Sequence, residues 1–132
     1  MYMVTKPKVY DVIVTTNMFG DIITDLGAMI QGGMGAAASG NIHPGRVSMF
    51  EPIHGSAPKY AGKNVASPVA TVMAVQMMLD FLGEARAAQR VEAAVAELVR
   101  TRRIPSLTTG ALPTDRTGDL ICETLETVAV PA

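Results

Sequence analysis

Only two segments of this chain carry the pattern of a β-strand, and that shortage limits what the chain can fold into. "VYDVIVTT", Val9 to Thr16, is rich in β-branched residues and reads as a buried strand of the parallel-sheet kind. "RVSMFEPI", Arg46 to Ile53, reads as a second, shorter strand. Two parallel strands cannot bury both of their own faces. Yet 48% of the 132 residues are hydrophobic and only 17% charged, with a mean hydropathy of +0.27. A chain of this length can bury roughly two-thirds of its unfolded surface. The pattern therefore predicts an α/β arrangement: helices flanking an incomplete parallel or mixed sheet, with apolar surface left over for a partner or for further chain.

Spacing and punctuation mark the helices. Gly20 and Asp21 open "DIITDLGAMIQ", whose apolar stripe is Ile22, Leu26, Met29 and Ile30. "GGMGAAASGNIHPG" then reads as irregular chain whose small residues let backbones approach closely. "HGSAPKYAGKNVASP" is a loop by composition. In "SPVATVMAVQMMLDFLG", Ser67 is the expected N-cap, Pro68 the first helical residue and Gly83 the residue just past the end. Its apolar residues lie on nearly every side, which predicts a helix buried all round. "EARAAQRVEAAVAELVR" differs: Ala87, Val91, Ala94 or Val95, and Leu98 share a stripe, with Arg90, Glu92, Glu97 and Arg100 off it. "RIPSLTTGALPT" reads as a loop. A last helix, from about Thr114 to Val128, carries Leu120, Ile121, Leu125 and Val128 on one face.

Composition excludes several functions. A net charge of -1, three tyrosines, three phenylalanines and no tryptophan supply neither the basic face nor the stacking platform of a nucleic-acid binder. The single cysteine, Cys122, rules out an internal disulfide and suits a reducing compartment. "MYMVTKPKVYDV" lacks a signal-peptide core, and no run is long and apolar enough for a membrane span. A cytoplasmic protein without nucleic-acid or membrane partners is expected. His43, His54 and Cys122 lack zinc-ligand spacing, and G-x-G-x-x-G, Walker and G-x-S-x-G patterns are absent from the sequence.

Two constellations remain. Asp21 and Asp25 are spaced i, i+4, which on a helix puts both carboxylates on one face, one turn apart. Paired hard oxygens suit Mg²⁺ or Mn²⁺; spacing alone fits still better an acid favoured in a first helical turn beside a solvated one. In "EPIHGSAPKYAG", freed backbone N–H groups, His54 and Lys59 could wrap a nucleotide, with Lys59 as a point charge for a phosphate. The plainer alternative is a surface loop shaped by Gly55, Pro58 and Gly62.

Joined together, "YDVIVTTNMFGDIITDLGAMIQGGMG" and "SMFEPIHGSAPKYAGKNVASP" resemble the C-terminal part of the metal-dependent β-decarboxylating dehydrogenases, the isocitrate/isopropylmalate dehydrogenase family. The resemblance runs from about Tyr10 to Asp119 and reverses both of the plainer readings. It implies that Asp21 and Asp25 are metal ligands for Mg²⁺ or Mn²⁺. It implies that His54, Gly55, Ser56, Ala57 and Pro58 hold the adenosine half of NAD or NADP, and that Glu51 lies near the nicotinamide end. Ser67 stands where the family often has an asparagine against adenine. Lys59, followed by Tyr60, stands where NAD-using isopropylmalate enzymes carry an aspartate; a lysine cannot accept a ribose hydrogen bond but can pair with a 2′-phosphate, so the site leans to NADP.

The implied reaction is oxidation of a 2-hydroxy acid by hydride transfer to NAD(P) with loss of CO₂, assisted by a Lewis acid. "FEPIHGSAP" is similar to the isopropylmalate branch, which implies leucine biosynthesis; isocitrate, homoisocitrate and tartrate are the alternative substrates. The family's arginine cluster, catalytic tyrosine, catalytic lysine and third metal aspartate find no match here, so no catalytic residue is assigned within this chain. The expectation is a C-terminal portion of a larger enzyme, inactive alone. Residues 1–32 would belong to a smaller dimer-forming domain and 33–132 to a larger cofactor-binding α/β domain of a homo-oligomer. Against this stand a non-catalytic nucleotide-binding module and a helical interaction protein.

Overall fold

The structure, a computed structural model, describes residues 2–30, 32–107 and 110–129. In chain order the elements are α1 (Tyr2–Thr5), α2 (Asn17–Ile30), β1 (Ala38–Asn41), β2 (Met49–Pro52), α3 (Val69–Phe81), α4 (Ala85–Arg100) and α5 (Thr114–Thr127), with single 3-10 turns at Pro7–Val9 and Pro58–Tyr60. The stripe read from α4 is the one it buries: Ala88, Ala94, Val95 and Leu98 are closed off from solvent, and Ala87 and Val91 are half-buried. Leu98 and Val95 meet Val69 of α3, Leu120 and Ile121 of α5, and Ile104 of the connecting loop in one apolar core. The expected face of α5 is thus the buried one, with Leu125 packed at its margin.

Helix α3 is the central element: α4 covers one side and both strands cover another. Its third side is open, so it is not buried all round as its apolar composition suggested. Thr71 and Asp80 are exposed and Val75 is 43% accessible. Pro68 stands at the N-cap and the helix starts at Val69, one residue later than expected, but the Ser67 hydroxyl still accepts the Val69 N–H at 3.4 Å. At the other end Gly83 takes φ +85, and the N–H groups of Gly83 and Glu84 bond the carbonyls of Asp80 (3.0 Å) and Leu79 (2.9 Å). That is a Schellman closure, which needs the left-handed residue that glycine supplies.

The sheet differs from expectation. It has two strands, β1 and β2, and they are antiparallel, in register Ala38↔Pro52 to Asn41↔Met49. Residues 42–48 are too few for the crossover that parallel strands require. Instead Pro44 and Gly45 (φ +73) occupy the corners of a turn closed by the Arg46 N–H on the His43 carbonyl at 3.1 Å. β2 occupies the middle of the expected second strand. β1 lies inside the small-residue stretch read as irregular: Gly40, lacking a Cβ, leaves room for the Phe50 ring and the Met77 sulfur. Phe50 in turn packs on Phe81 of α3, ring centroids 5.5 Å apart.

The expected strand Val9–Thr16 does not form. After the 3-10 turn the segment is irregular, with Val12 82% and Val14 93% exposed. β-branched residues favour a strand only where a ladder partner exists, and none of the described residues pairs with these. Helix α2 begins at Asn17, ahead of the expected Gly20, because the Gly20 N–H already bonds the Thr16 carbonyl at 2.8 Å. Its stripe is present but uncovered: Met18, Phe19, Ile22, Leu26, Met29 and Ile30 are all exposed. Gln31, placed at the end of this helix by the sequence, lies outside the described residues, as do Thr108 and Thr109 of the expected loop. Among the described residues no helix is long and apolar enough to cross a membrane.

Candidate functional site

The helical spacing of Asp21 and Asp25 is realised on α2, and both side chains are exposed. They line one side of an open cleft of ≈ 670 Å³, together with Thr24 from the intervening turn. The opposite wall is the sheet: Ser39 and Asn41 of β1, Glu51 of β2, and then Ile53, His54 and Gly55. Alternation along β2 explains the position of Glu51. Phe50 and Pro52 are partly covered on the α3 side, whereas Met49 and Glu51 are exposed on the other. Thr24 turns its hydroxyl back onto the Gly20 carbonyl at 2.9 Å, which leaves the two carboxylates as the acidic groups of that helical edge.

Neither aspartate takes part in a salt bridge among the described residues. All seven arginines are exposed and none lines this cleft. The donor set fits part of a divalent-cation site: two hard oxygens one helical turn apart, unneutralised by lysine or arginine, facing a cleft. Mg²⁺ and Mn²⁺ accept such partial protein coordination and complete their shells with water or substrate. Among the described residues no third histidine, cysteine or acid stands close enough to form a metal-binding group with them.

A second cleft, of ≈ 600 Å³, adjoins the first, and His54 and Gly55 line both. Its walls include Ser56, Ala57, Lys59, Tyr60, Ala66 and Ser67, with Met34 and Gly35 opposite. Ala57 is left-handed (φ 42, ψ 60), an unusual state for a residue with a Cβ, directly before Pro58. This bend starts the 3-10 turn, which the Tyr60 N–H closes on the Ala57 carbonyl at 2.9 Å and the Ala61 N–H on the Pro58 carbonyl at 3.1 Å. The Lys59 ammonium sits 4.8 Å from the centroid of the Tyr60 ring, a cation–π contact that holds the charge at the cleft. His54 Nδ1 lies 3.1 Å from the Gly55 carbonyl oxygen. A carbonyl can only accept, so in that contact Nδ1 is the donor.

The structure thus brings Asp21, Asp25, Glu51, His54 and Gly55 to one cleft, and His54 to Ala57, Lys59, Tyr60 and Ser67 to the other. Pro58 lines neither and serves to shape the turn. Gly35 is a site residue that the sequence reading missed. Its carbonyl accepts the Ala70 N–H at 3.0 Å, and a Cβ on it would run into the Leu107 carbonyl oxygen. The glycine cluster around it was visible in the sequence; the tight backbone approach that requires glycine at this one position was not.

The model described as isocitrate/isopropylmalate dehydrogenase matches residues 1–124, and the chain belongs to that family. Within it, the chain is 59% identical over 104 residues to a 3-isopropylmalate dehydrogenase of Frankia casuarinae, covering 77% of this chain and 30% of that one. It is 49% identical over 131 residues to a 3-isopropylmalate dehydrogenase of Clavibacter sepedonicus, covering 96% of this chain and 36% of the other. The crystal structure of isocitrate dehydrogenase from Methylococcus capsulatus superposes with a TM-score of 0.86 at 39% identity, over 96% of this chain and 38% of that one. The chain spans about a third of the length of the curated relatives it matches.

Proposed function

We propose that this chain supplies two metal-ligating acids and the adenosine-binding loop of a 3-isopropylmalate dehydrogenase, which oxidises and decarboxylates its 2-hydroxy acid with NAD(P) in leucine biosynthesis. The observation that carries the reading is the junction of the two clefts at His54 and Gly55: the acid pair opens on one side of it and the Lys59–Tyr60 turn on the other. A dinucleotide is long enough to need two such neighbouring compartments, its reactive end near the acids and its adenosine end against the turn.

In this assignment Asp21 and Asp25 hold Mg²⁺ or Mn²⁺, whose contribution when bound is Lewis-acid polarisation of the substrate's oxygen. Their uncompensated negative charge is the driving force for taking up a cation. Glu51 borders the same cleft at the nicotinamide end. His54 to Pro58 bend around the adenosine, with backbone groups released by the Ala57 bend. Lys59, which has no capacity to accept a hydrogen bond, favours a 2′-phosphate and so NADP. Ser67 offers a hydroxyl at the adenine end. Since no arginine lines the acidic cleft, the cations that grip substrate carboxylates and the groups that move its proton come from outside these 132 residues. Residues 1–32 form part of a smaller domain and 33–132 part of a larger one, in a cytoplasmic homo-oligomer whose contacts cover the bare α2 stripe. The isocitrate dehydrogenase superposition keeps isocitrate as the second substrate to assay.

Calorimetric titration of the chain with NADPH and NADH, in the presence of Mn²⁺, tests the assignment. Saturable binding of either nucleotide, weakened by Lys59→Asp for NADPH, is the expected result, with no turnover of isopropylmalate or isocitrate by the chain alone. Absence of binding for both nucleotides would overturn the loop assignment. Turnover by the chain alone would overturn the claim that the remaining catalytic groups lie outside it.

A further inference from the structure

Helix α5 begins without a cap of its own. Its N-cap residue is Pro113, whose side chain carries no oxygen, and no side-chain hydrogen bond from that position serves the first turn. The missing acceptor comes from fifty-one positions upstream in sequence: Asn64 Oδ1 accepts the Asp115 N–H at 3.1 Å. The Asp115 carboxyl, held below its usual range by the Asn64 side chain first, accepts the Arg116 N–H on Oδ1 at 2.7 Å. The Asn64 carbonyl also accepts the Thr114 N–H at 3.1 Å, and the Thr114 hydroxyl donates to the Ala66 carbonyl at 2.6 Å. An N-cap side chain normally accepts an N–H of the first helical turn from the residue just before it. Here that acceptor comes from a distant segment.

The placement of Asn64 gives this arrangement a consequence. Asn64 lies between the Lys59–Tyr60 turn and Ala66–Ser67, all four of which line the second cleft, while Asn64 itself does not. It is left-handed, φ 53, a state that asparagine tolerates better than most residues with a Cβ. A further tie runs from the Gly110 N–H to the Val65 carbonyl at 2.8 Å. The far wall of the cleft is therefore fastened to α5, which is itself packed through Leu120 and Ile121 into the core.

We propose that Asn64 is a positioning residue for the nucleotide loop: it caps α5 from a distance, and through that cap sets Ala66 and Ser67 in the geometry that the adenosine end meets. The inference rests on the assignment of the second cleft to a nucleotide. Its structural half, the coupling of loop to helix, stands on the bonds themselves. Losing the remote cap loosens both partners together, because Asn64 supplies acceptors to the Thr114 and Asp115 N–H groups and Thr114 supplies a donor to the Ala66 carbonyl.

The test uses the 132-residue chain and the variants Asn64→Gly and Thr114→Val, singly and combined. Glycine keeps the left-handed backbone and the carbonyl while deleting the side-chain cap on the Asp115 N–H. Hydrogen exchange is read at amides 57–67 and 114–118, alongside NADPH and NADH titrations. We expect Asn64→Gly to accelerate exchange in both segments, to weaken nucleotide binding about tenfold, the effect of one or two net hydrogen bonds, and to leave Mn²⁺ binding unchanged. Thr114→Val, which deletes the hydroxyl bond to the Ala66 carbonyl, acts in the same direction, and the double variant falls no further than the worse single one. Acceleration confined to one segment, or additive effects in the double variant, overturns the coupling. Unchanged nucleotide affinity with both segments loosened overturns the positioning role. If the parent chain binds no nucleotide, the loop assignment fails with it and the positioning role falls too, while exchange still decides whether loop and helix are coupled. Should Asn64→Gly fail to fold, Thr114→Val carries the same readouts.

Discussion

Gly35→Ala isolates the close packing on which the second cleft depends. A Cβ built on Gly35 meets the backbone carbonyl oxygen of Leu107 far inside van der Waals contact, with the Ser67 Cβ at 3.7 Å beyond. A backbone carbonyl cannot rotate away as a flexible side chain can. Either the 104–107 segment moves, which disturbs Ile104 in the core, or Gly35 withdraws and strains its bond to the Ala70 N–H at the start of α3. Overpacking of this kind costs about 1–3 kcal/mol and more where the neighbour is rigid, so about 3 kcal/mol is expected. For a domain of this length that corresponds to a fall in Tm of about 10 °C. Gly118→Ala is the matched control: Gly118 lies within α5 with open space around its Cβ, and the change should raise stability by about 0.5–1 kcal/mol through helix propensity. Thermal unfolding followed by circular dichroism reads both. A Gly35→Ala Tm within about 2 °C of the parent, at this expected cost, would refute the packing argument.

Three further outcomes follow from the same structure. Leu98→Ala, at a position with 0% exposure in the shared core of α3, α4 and α5, should cost about 3 kcal/mol, read as a lower urea midpoint with an unchanged slope. Lys59→Asp should shift nucleotide preference from NADPH towards NADH; a strong NADH preference in the parent, unchanged by the substitution, would remove the role given to Lys59. Asp115 is held below its ordinary value by the Asn64 side chain first and by the Arg116 N–H second. A depressed carboxyl adds stability above its unfolded value of 3.8 and loses it as pH falls through the lower folded value. Asp115→Asn should therefore lower stability at neutrality and flatten the acid limb below about pH 4, where variant and parent converge. An acid limb identical to the parent's would contradict this.

What the sequence disclosed depended on whether the signal was local. The α4 stripe and the Ser67–Gly83 bracket around α3 are written in i, i+4 spacing and in residues that cap, and both were legible. Val9–Thr16 was misread because β-branched residues report a preference that only a neighbouring strand can realise. β1 escaped because "ASGN" has little strand propensity; its pairing comes from antiparallel Met49–Pro52 and from the space Gly40 leaves for Phe50. The clue was His43-Pro44-Gly45-Arg46, a hairpin turn in residue type as well as in geometry. Among site residues, the Asp21–Asp25 spacing was visible, since it repeats the helix. The sharing of His54 and Gly55 between two clefts, and the cap that Asn64 lends to α5, join residues far apart in sequence and have no local mark.

The central claim is that Asp21 and Asp25 are a cation seat beside a nucleotide loop, and Mn²⁺ tests it through its paramagnetism. Two-dimensional NMR of the chain titrated with Mn²⁺ should lose amide signals around Asp21, Thr24 and Asp25 first, then across the cleft at Glu51 and at His54–Gly55. Asp21→Asn with Asp25→Asn should restore them all. Broadening that begins elsewhere, or that survives the double substitution, would contradict the account.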